Sequence, residues 1–311
     1  MGERRLTVRP DLSVNIGGIR MKNPVMTASG TFGYGPEYAE LIDLNRLGAI
    51  VVKGISLQPV KGNPPPRTVE VSSGLINAIG LQNPGVDGFV RDYIPFLRHF
   101  ETPLIVNIWG RAIEEYEQVA ERFDATDGVA GLEINVSCPN IKEGSCMFSS
   151  DIEMFKRVVS AVRKKTKLPM IPKLAPDNAH IAKFARAAEE CGADAISLIN
   201  TIPAMAIDVE TRRPILGNKT GGLSGPAIKP VAVKQVWDAA RAVKIPIVGI
   251  GGIYSSSDAL EFIIAGASAV AVGTANFTQP STVLDVIDGL ATYLERHRMT
   301  RVEDLVGSLK V

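Results

Sequence analysis

The clearest pattern in this sequence is an alternating strand that ends at a thiol, Glu133-Ile134-Asn135-Val136-Ser137-Cys138-Pro139-Asn140. Ile134 and Val136 are expected on one face of the strand, and its polar residues on the other. The strand must end at Pro139, because proline cannot donate a ladder hydrogen bond. Cys138 then lies at a carboxyl end, where a thiolate can act as a base or a nucleophile. Taken alone, the residue can equally be an ordinary buried free cysteine.

Eight short apolar runs, including this one, recur along the chain. They are Pro24–Ser29, Ala49–Lys53, Leu104–Ile108, Gly131–Ser137, Met170–Leu174, Ala195–Asn200, Ile247–Ile250 and Ala269–Val272. Near-continuous apolar runs are typical of strands buried on both faces of a parallel sheet. Most are separated by helical patterns, such as Ile113, Tyr116, Ala120 and Phe123. The alternation predicts an α/β fold, a (β/α)8 TIM barrel, as a single domain over residues 1–311.

Three segments fall outside this regular alternation. Residues 6–20 predict an N-terminal β-hairpin, with strands at Leu6–Val8 and Ser13–Ile16 and a turn at Pro10-Asp11. Residues 54–103 and 201–227 are too long for simple crossovers. Both insertions follow the carboxyl end of a strand, which is the catalytic face of such barrels, and long insertions in a compact domain are usually functional.

The overall composition excludes several classes of partner. The 311 residues are 45% hydrophobic, and 34 basic against 33 acidic residues give a net charge of +1. No broad surface for nucleic acid or an acidic membrane is therefore expected. The sequence shows no long apolar run and no apolar region behind its charged N-terminus, so we expect a cytoplasmic protein. Three scattered cysteines, Cys138, Cys146 and Cys191, fit a reducing compartment and predict no metal site.

Polar residues and glycines collect at the ends of the predicted strands. The polar set is Ser29, Lys53, Asn107, Asn135, Lys173, Asn200 and Thr201. Any one of them can be a solvated strand end, but two lysines and three asparagines on one rim favour a binding site. Gly251-Gly252 and Gly273-Thr274 follow the last two strands, where barrels commonly bind a phosphate through backbone N–H groups. Two ordinary tight turns remain the alternative for these pairs.

Four segments of the chain resemble dihydroorotate dehydrogenase. They are N-V-S-C-P-N at Asn135–Asn140, N-A-I-G-L-Q-N at Asn77–Asn83, T-G-G-L-S-G-P at Thr220–Pro226 and A-S-A-V-A-V-G-T-A-N-F at Ala267–Phe277. The resemblance runs from about Val14 to the C-terminus and implies an FMN-binding barrel that oxidises dihydroorotate to orotate in pyrimidine synthesis. The cysteine of N-V-S-C-P-N resembles class 1, and I-G-L-Q-N resembles the class 1B catalytic subunit.

The resemblance also implies roles for individual residues. Cys138 corresponds to the catalytic base. The implied substrate contacts are Lys53, Asn77, Ala78, Ile79, Gly80, Leu81, Asn135, Asn200 and Thr201. The implied FMN contacts are Ser29, Lys53, Gly54, Asn107, Asn135, Lys173, Ile199, Gly225, Gly251, Gly252, Gly273 and Thr274. The chain departs from the family pattern at Gly54, where alanine is usual, and over residues 143–149, beyond the base. The change at Gly54 matters little if its contact is made by the backbone.

The acceptor of the electrons is expected to lie outside this chain. The sequence has no dinucleotide fingerprint, and its cysteines cannot supply the four thiolates that usually hold an iron–sulfur cluster. Class 1B implies a partner subunit that carries FAD and a [2Fe-2S] cluster and reduces NAD, in a heterotetramer of two catalytic and two electron-transfer subunits. The alternatives are a fumarate-dependent class 1A enzyme, a dihydropyrimidine dehydrogenase-like reductase, a Schiff-base lyase using Lys53 or Lys173, and a non-catalytic barrel that binds a phosphorylated ligand.

Overall fold

The computed structural model describes residues 9–136, 151–176 and 180–311. Its strands are β1 (Val14–Ile16), β2 (Ile19–Met21), β3 (Val25–Thr27), β4 (Ile50–Ile55), β5 (Thr68–Val71), β6 (Gly74–Asn77), β7 (Leu104–Ile108), β8 (Gly131–Asn135), β9 (Met170–Leu174), β10 (Ile196–Leu198), β11 (Ile202–Ala204), β12 (Ile207–Asp208), β13 (Arg213–Pro214), β14 (Gly221–Ser224), β15 (Ile247–Ile250) and β16 (Ala269–Val272).

The α-helices are α1 (Pro36–Ala39), α2 (Gly85–Asp92), α3 (Ile94–Leu97), α4 (Ile113–Asp124), α5 (Ile152–Lys165), α6 (Ile181–Glu190), α7 (Lys229–Ala240), α8 (Ser256–Ala265), α9 (Ala275–Thr278) and α10 (Thr282–His297). Short 3₁₀ helices lie at Leu44–Arg46, Pro226–Ile228 and Val302–Leu305. None of the helices in the described part of the chain combines the length and the apolar character that a membrane span needs.

Eight parallel strands form the central barrel, in the order β3-β16-β15-β10-β9-β8-β7-β4. A bridge between Met26 and Ala49 joins the two ends of this order. Thr27 strengthens the closure, because its hydroxyl donates to the carbonyl of Val51 and accepts from the N–H of the same residue. The predicted (β/α)8 barrel is therefore confirmed. Four strands have the predicted bounds: β7, β9, β15 and β16.

The helices pack one apolar face against the outside of the barrel. In α4, Tyr116, Val119, Ala120 and Phe123 are buried, as their spacing predicts. The start of α5 is capped by the Asp151 carboxylate, which accepts hydrogen bonds from two backbone N–H groups. Together these faces and the strands form a buried apolar cluster that extends from Val14 to Leu305.

The N-terminal hairpin is present, but its position differs from the prediction. The predicted strand Ser13–Ile16 corresponds to β1, which pairs with β2 through a turn at Gly17-Gly18, and the predicted strand Leu6–Val8 lies outside the described residues. Both glycines have positive φ, and the Asn15 side chain accepts from the N–H of Gly18, so this pair provides a tighter turn. Asp11 instead forms a bridge with Arg301 near the C-terminus.

The two long insertions meet in a second sheet of order β11-β14-β6-β5. Strands β5 and β6 come from the first insertion, and β11 and β14 from the second. The pairing of β6 with β14 sets Asn77 opposite Gly222. A small apolar cluster of Ile76, Ala78 and Leu216 is buried beside this sheet. Segments far apart in the chain are therefore fixed together above the carboxyl ends of the barrel strands.

Candidate active site

A cavity of about 540 Å³ lies between the barrel strand ends and the second sheet. Both parts contribute to its wall, so neither the barrel nor the insertions alone would form it. Most of the residues proposed from the sequence line it: Ser29, Lys53, Gly54, Asn77, Ala78, Ile79, Gly80, Leu81, Asn107, Asn135, Lys173, Asn200 and Thr201. Topology explains this convergence, because the carboxyl ends of parallel strands meet at one face of a barrel.

Lys53 brings a cation to the cavity from β4. Its backbone N–H donates to the carbonyl of Gly33, which fixes the strand end. The side chain is partly buried, and among the described residues its ammonium has neither a hydrogen-bond acceptor nor a salt-bridge partner. Burial, and then the nearby Arg67 guanidinium, lower the pKa of Lys53, while Glu37 opposes this shift. An anionic ligand in the cavity would supply the partner that this ammonium lacks.

Amide groups line the same cavity. The Asn77 side chain donates to the carbonyl of Gly222 at 3.2 Å, across the β6–β14 pair. The Asn200 amide lies 3.4 Å from the Asn135 side-chain oxygen, and Asn200 also accepts from the N–H of Thr201. Amides both donate and accept, so this set suits a heterocycle with mixed ring-edge polarity.

A second group of polar side chains forms the deeper wall. Lys173, on β9, donates to the Ser29 hydroxyl at 2.9 Å. Asn107, on β7, lies 3.4 Å from the same hydroxyl and donates to the Glu133 carboxylate at 2.6 Å. Glu133 itself does not line the cavity; its side chain is only 5% exposed. The side chains of the deeper wall are thus joined to one another by hydrogen bonds, and Asn107 joins them to Glu133 behind the wall.

Glycine turns lie next to the cavity and do not line it. Gly225, Gly251 and Gly252 have positive φ, and a Cβ on Gly252 would lie 2.8 Å from the carbonyl of Gly225. The Thr274 hydroxyl donates to the Ser224 hydroxyl, and Ser224 does line the cavity. Within the described residues, the backbone N–H groups of Gly252, Gly273 and Thr274 have no acceptor. These donors are available to an anion.

Two of the residues proposed from the sequence remain. Ile199 is 2% exposed, and its N–H donates to the carbonyl of Ile250, so its side chain belongs to the barrel core. It is absent from the cavity wall. Cys138 lies outside the described residues. In the part of the chain that the structure describes, no group of histidine, cysteine, aspartate and glutamate side chains is placed to hold a metal ion.

Comparison with known proteins identifies the family. The family model described as dihydroorotate dehydrogenase matches residues 11–294. The chain belongs to the dihydroorotate dehydrogenase family. It is 54% identical over 301 residues to a protein of Geotalea uraniireducens, covering 97% of this chain and 99% of the relative. A protein of Thermoanaerobacter pseudethanolicus is 52% identical, again with 97% and 99% covered. Both relatives are named dihydroorotate dehydrogenase B (NAD(+)), catalytic subunit.

The family resemblance inferred from the motifs is thereby confirmed, and the relatives are of the NAD-linked kind that class 1B predicts. The dihydroorotate dehydrogenase family is flavin-dependent, and the residues present fit a flavin. The backbone N–H groups of Gly252, Gly273 and Thr274, which meet no acceptor in the described ranges, suit a phosphate. The Lys173 ammonium offers a donor, and the Asn107 side-chain oxygen an acceptor, to a ring system in the cavity.

Sequence reasoning missed several residues of this site. Ser224 and Phe277 line the cavity, although both occur in motifs that resemble the family. Thr31, Thr68 and Asn218 line it without any local signal, since they belong to loops or to the insertion sheet. Glu133 could have been found, because the strand alternation places it on the same face as Asn135. A carboxylate that points into a barrel interior needs hydrogen-bond or ion-pair partners. The sequence could therefore have indicated polar partners around Glu133.

Proposed function

We propose that this chain oxidises dihydroorotate to orotate in de novo pyrimidine synthesis. One observation supports it: a partly buried Lys53 ammonium, which has no partner among the described residues, shares a cavity with the amides of Asn77, Asn135 and Asn200, in a chain of this family. Dihydroorotate has a carboxylate and a ring edge that carries both hydrogen-bond donors and acceptors. The two features complement the cation and the amides respectively.

Substrate positioning is assigned to the outer part of the cavity. Lys53 binds the carboxylate, while Asn77, Asn135 and Asn200 hydrogen-bond the ring edge. Thr201 and the segment Ala78–Leu81 complete the wall around the substrate. The second sheet fixes this geometry, because β6 carries Asn77 and is held by β14. Fixing the ring in one orientation keeps its reacting carbons facing both the base and the cofactor.

Cys138 is assigned the role of general base. It follows β8 by three residues, in the N-V-S-C-P-N segment on which the family resemblance rests. The C5 proton of dihydroorotate is acidic because it lies alpha to a carbonyl, and the thiolate of Cys138 takes it. The proton leaves from C5 and a hydride leaves from C6, so the ring gains one carbon–carbon double bond.

The cofactor is assigned as FMN. Ser29, Lys53, Gly54, Asn107, Asn135 and Lys173 would hold the ring system, and Gly225, Gly251, Gly252, Gly273 and Thr274 the phosphate. Ile199 would contact the cofactor through its backbone, since its side chain is buried in the barrel core. FMN, when bound, accepts the hydride that leaves C6. One phosphate-binding cluster and the absence of an adenine-nucleotide fingerprint in the sequence favour FMN over FAD.

The electrons are assigned to leave through a partner subunit. The relatives' names specify NAD(+) and a catalytic subunit, which supports a partner that reduces NAD. We propose that this partner carries FAD and a [2Fe-2S] cluster, and that two copies of each subunit form a cytoplasmic heterotetramer. The balanced charge of the chain is consistent with a partner that is neither nucleic acid nor membrane.

The test uses the purified chain, alone and with its candidate partner. We expect a yellow protein that releases FMN on denaturation and bleaches when dihydroorotate is added. With the partner, dihydroorotate should reduce NAD. Released FAD, or a colourless protein from several preparations, would contradict the cofactor assignment. Efficient fumarate reduction by the isolated chain, with no gain in NAD reduction from the partner, would instead indicate a class 1A enzyme.

A substitution at Gly54 tests the deeper wall. A Cβ at this position would lie 2.7 Å from the Asn107 side-chain oxygen and 3.1 Å from the Trp109 ring. Asn107 cannot move cheaply, because it is 2% exposed and bonded to Glu133. Overpacking typically costs about 1–3 kcal/mol, so Gly54→Ala should lower the free energy of unfolding by that amount and, by displacing Asn107, raise the FMN dissociation constant.

The measurement is a flavin titration of the stripped protein, followed by fluorescence, with thermal unfolding to check the fold. An unchanged dissociation constant in the Gly54→Ala protein would show that the wall accommodates a methyl group. The departure from the family alanine would then have no structural consequence for the cofactor.

A further inference from the structure

A buried carboxylate lies behind the cavity and has no part in the mechanism above. Glu133 is on β8, and its side chain is 5% exposed. Removing a carboxylate from water costs several kcal/mol unless partners compensate for the lost hydration. The residue is therefore held in the barrel interior by specific interactions.

Within the described part of the chain, each partner of the Glu133 carboxylate is a hydrogen-bond donor or a cation. Asn107 donates its side-chain N–H to one carboxylate oxygen at 2.6 Å, and the Ser197 hydroxyl donates to the other at 2.8 Å. The Lys173 ammonium lies 3.7 Å away and is itself 6% exposed. Both carboxylate oxygens of Glu133 therefore have a hydrogen-bond donor, and a cation lies beside one of them.

Two of these three donors also belong to the cavity wall. Lys173 and Asn107 line the cavity and contact the Ser29 hydroxyl there, whereas Glu133 and Ser197 do not reach it. Glu133 therefore acts on the site only through its neighbours. It orients the Asn107 amide, and it places a negative charge directly behind the positive charge of Lys173.

We propose that Glu133 is a positioning residue that lowers the reduction potential of the bound flavin by compensating the charge of Lys173. The inference rests on the proposed function, since it requires a flavin in this cavity. Reduction adds negative charge to the ring system, and a lone buried lysine would favour that charge strongly. Because Glu133 lies behind Lys173, the two side chains together carry no net charge. Their combined attraction for the negative charge of the reduced ring system is therefore weaker than that of Lys173 alone.

The experiment measures the reduction potential of the flavin in the holoprotein by dye-coupled titration. In Glu133→Gln the shape is kept and the negative charge is lost. We expect the reduction equilibrium to shift at least tenfold towards the reduced flavin, which is a rise of about 30 mV for a two-electron couple. Ser197→Ala is the matched control, because it removes one hydrogen bond to the same carboxylate without changing any charge. Its potential should stay at the wild-type value.

A second pair of proteins covers the case in which Glu133→Gln alone does not fold or retain flavin. Lys173→Met leaves the Glu133 charge uncompensated, so its potential should fall below that of the wild type. Lys173→Met with Glu133→Gln has neither charge, so its potential should rise again. The difference in reduction potential between these two proteins gives the effect of the Glu133 charge when Lys173 is absent.

Two results would overturn the inference. One is equal potentials in the two proteins of a pair that differ only at Glu133. The other is a shift in Ser197→Ala as large as that in Glu133→Gln, which would indicate a structural effect. Either result leaves the proposed function standing, because flavin is still bound and measured. Absence of flavin from the wild-type protein would contradict the proposed function itself.

Discussion

Replacing Cys138 with alanine should slow flavin reduction by dihydroorotate about 10²- to 10⁴-fold, the usual contribution of a positioned general base. The bound flavin should be retained, because Cys138 is not among the residues assigned to hold it. The measurement is a stopped-flow single turnover of the flavin-loaded chain without its electron acceptor. Flavin bleaching then reports the chemical step alone, separated from electron transfer to the partner.

Cys146→Ala and Cys191→Ala are the controls for this experiment, since they are the other two cysteines of the chain. Cys191 is at the end of α6, on the outside of the barrel, so its loss should leave the rate unchanged. If all three variants reduce flavin at the same rate, Cys138 is not the base. A Cys138→Ser protein should retain part of the rate, because a hydroxyl can replace the thiol as a weaker base.

The second large effect is expected at Lys53. Lys53→Met keeps most of the side-chain volume and removes the only ammonium proposed to meet the substrate carboxylate. A hydrogen bond to a charged group contributes about 1.5–3 kcal/mol, so the orotate dissociation constant should rise roughly 10- to 150-fold. Titration of the flavin absorbance with orotate gives this constant directly. Turnover should fall as well, because the ring is no longer held in one orientation.

The pH dependence of orotate binding gives an independent check. Burial and then Arg67 lower the pKa of Lys53 below the ordinary lysine value. Binding of a carboxylate needs the protonated amine, so affinity should fall as the pH rises through this lowered pKa. The loss should occur at a lower pH than for an unperturbed lysine, and Lys53→Met should abolish it.

Lys61→Met is the matched control, because Lys61 is an exposed lysine in the first insertion, shortly after Lys53 in the chain. Its replacement changes the net charge equally and should leave orotate affinity and its pH profile as in the wild type. Equal weakening in both variants would indicate a general electrostatic effect. An unchanged affinity in Lys53→Met, and also in Asn77→Ala, would remove both residues from the proposed substrate site.

Local patterns in the sequence were sufficient to predict the barrel and the face of the barrel at which the cavity lies. Runs such as Leu104–Ile108 and Met170–Leu174 are buried along their whole length, and that burial follows directly from their apolar residues. Because each strand is parallel and followed by a helix, its carboxyl end must lie at the same face as the others. The polar residues at those ends therefore converge in any barrel with this strand order. The pairing of β1 with β2 was not predicted, because Pro10-Asp11 and Gly17-Gly18 are both acceptable turn sequences.

Only the tertiary structure decided how the insertions and the barrel interior complete the site. The pairing of Asn77 with Gly222 joins residues 145 positions apart, and nothing in either segment specifies the other. The same is true of Glu133, whose partners Asn107, Lys173 and Ser197 come from three further strands. Sequence periodicity reports which face of an element is buried, because that depends on its own residues. Contacts between distant elements depend on strand order, register and side-chain reach, which exist only once the barrel has closed.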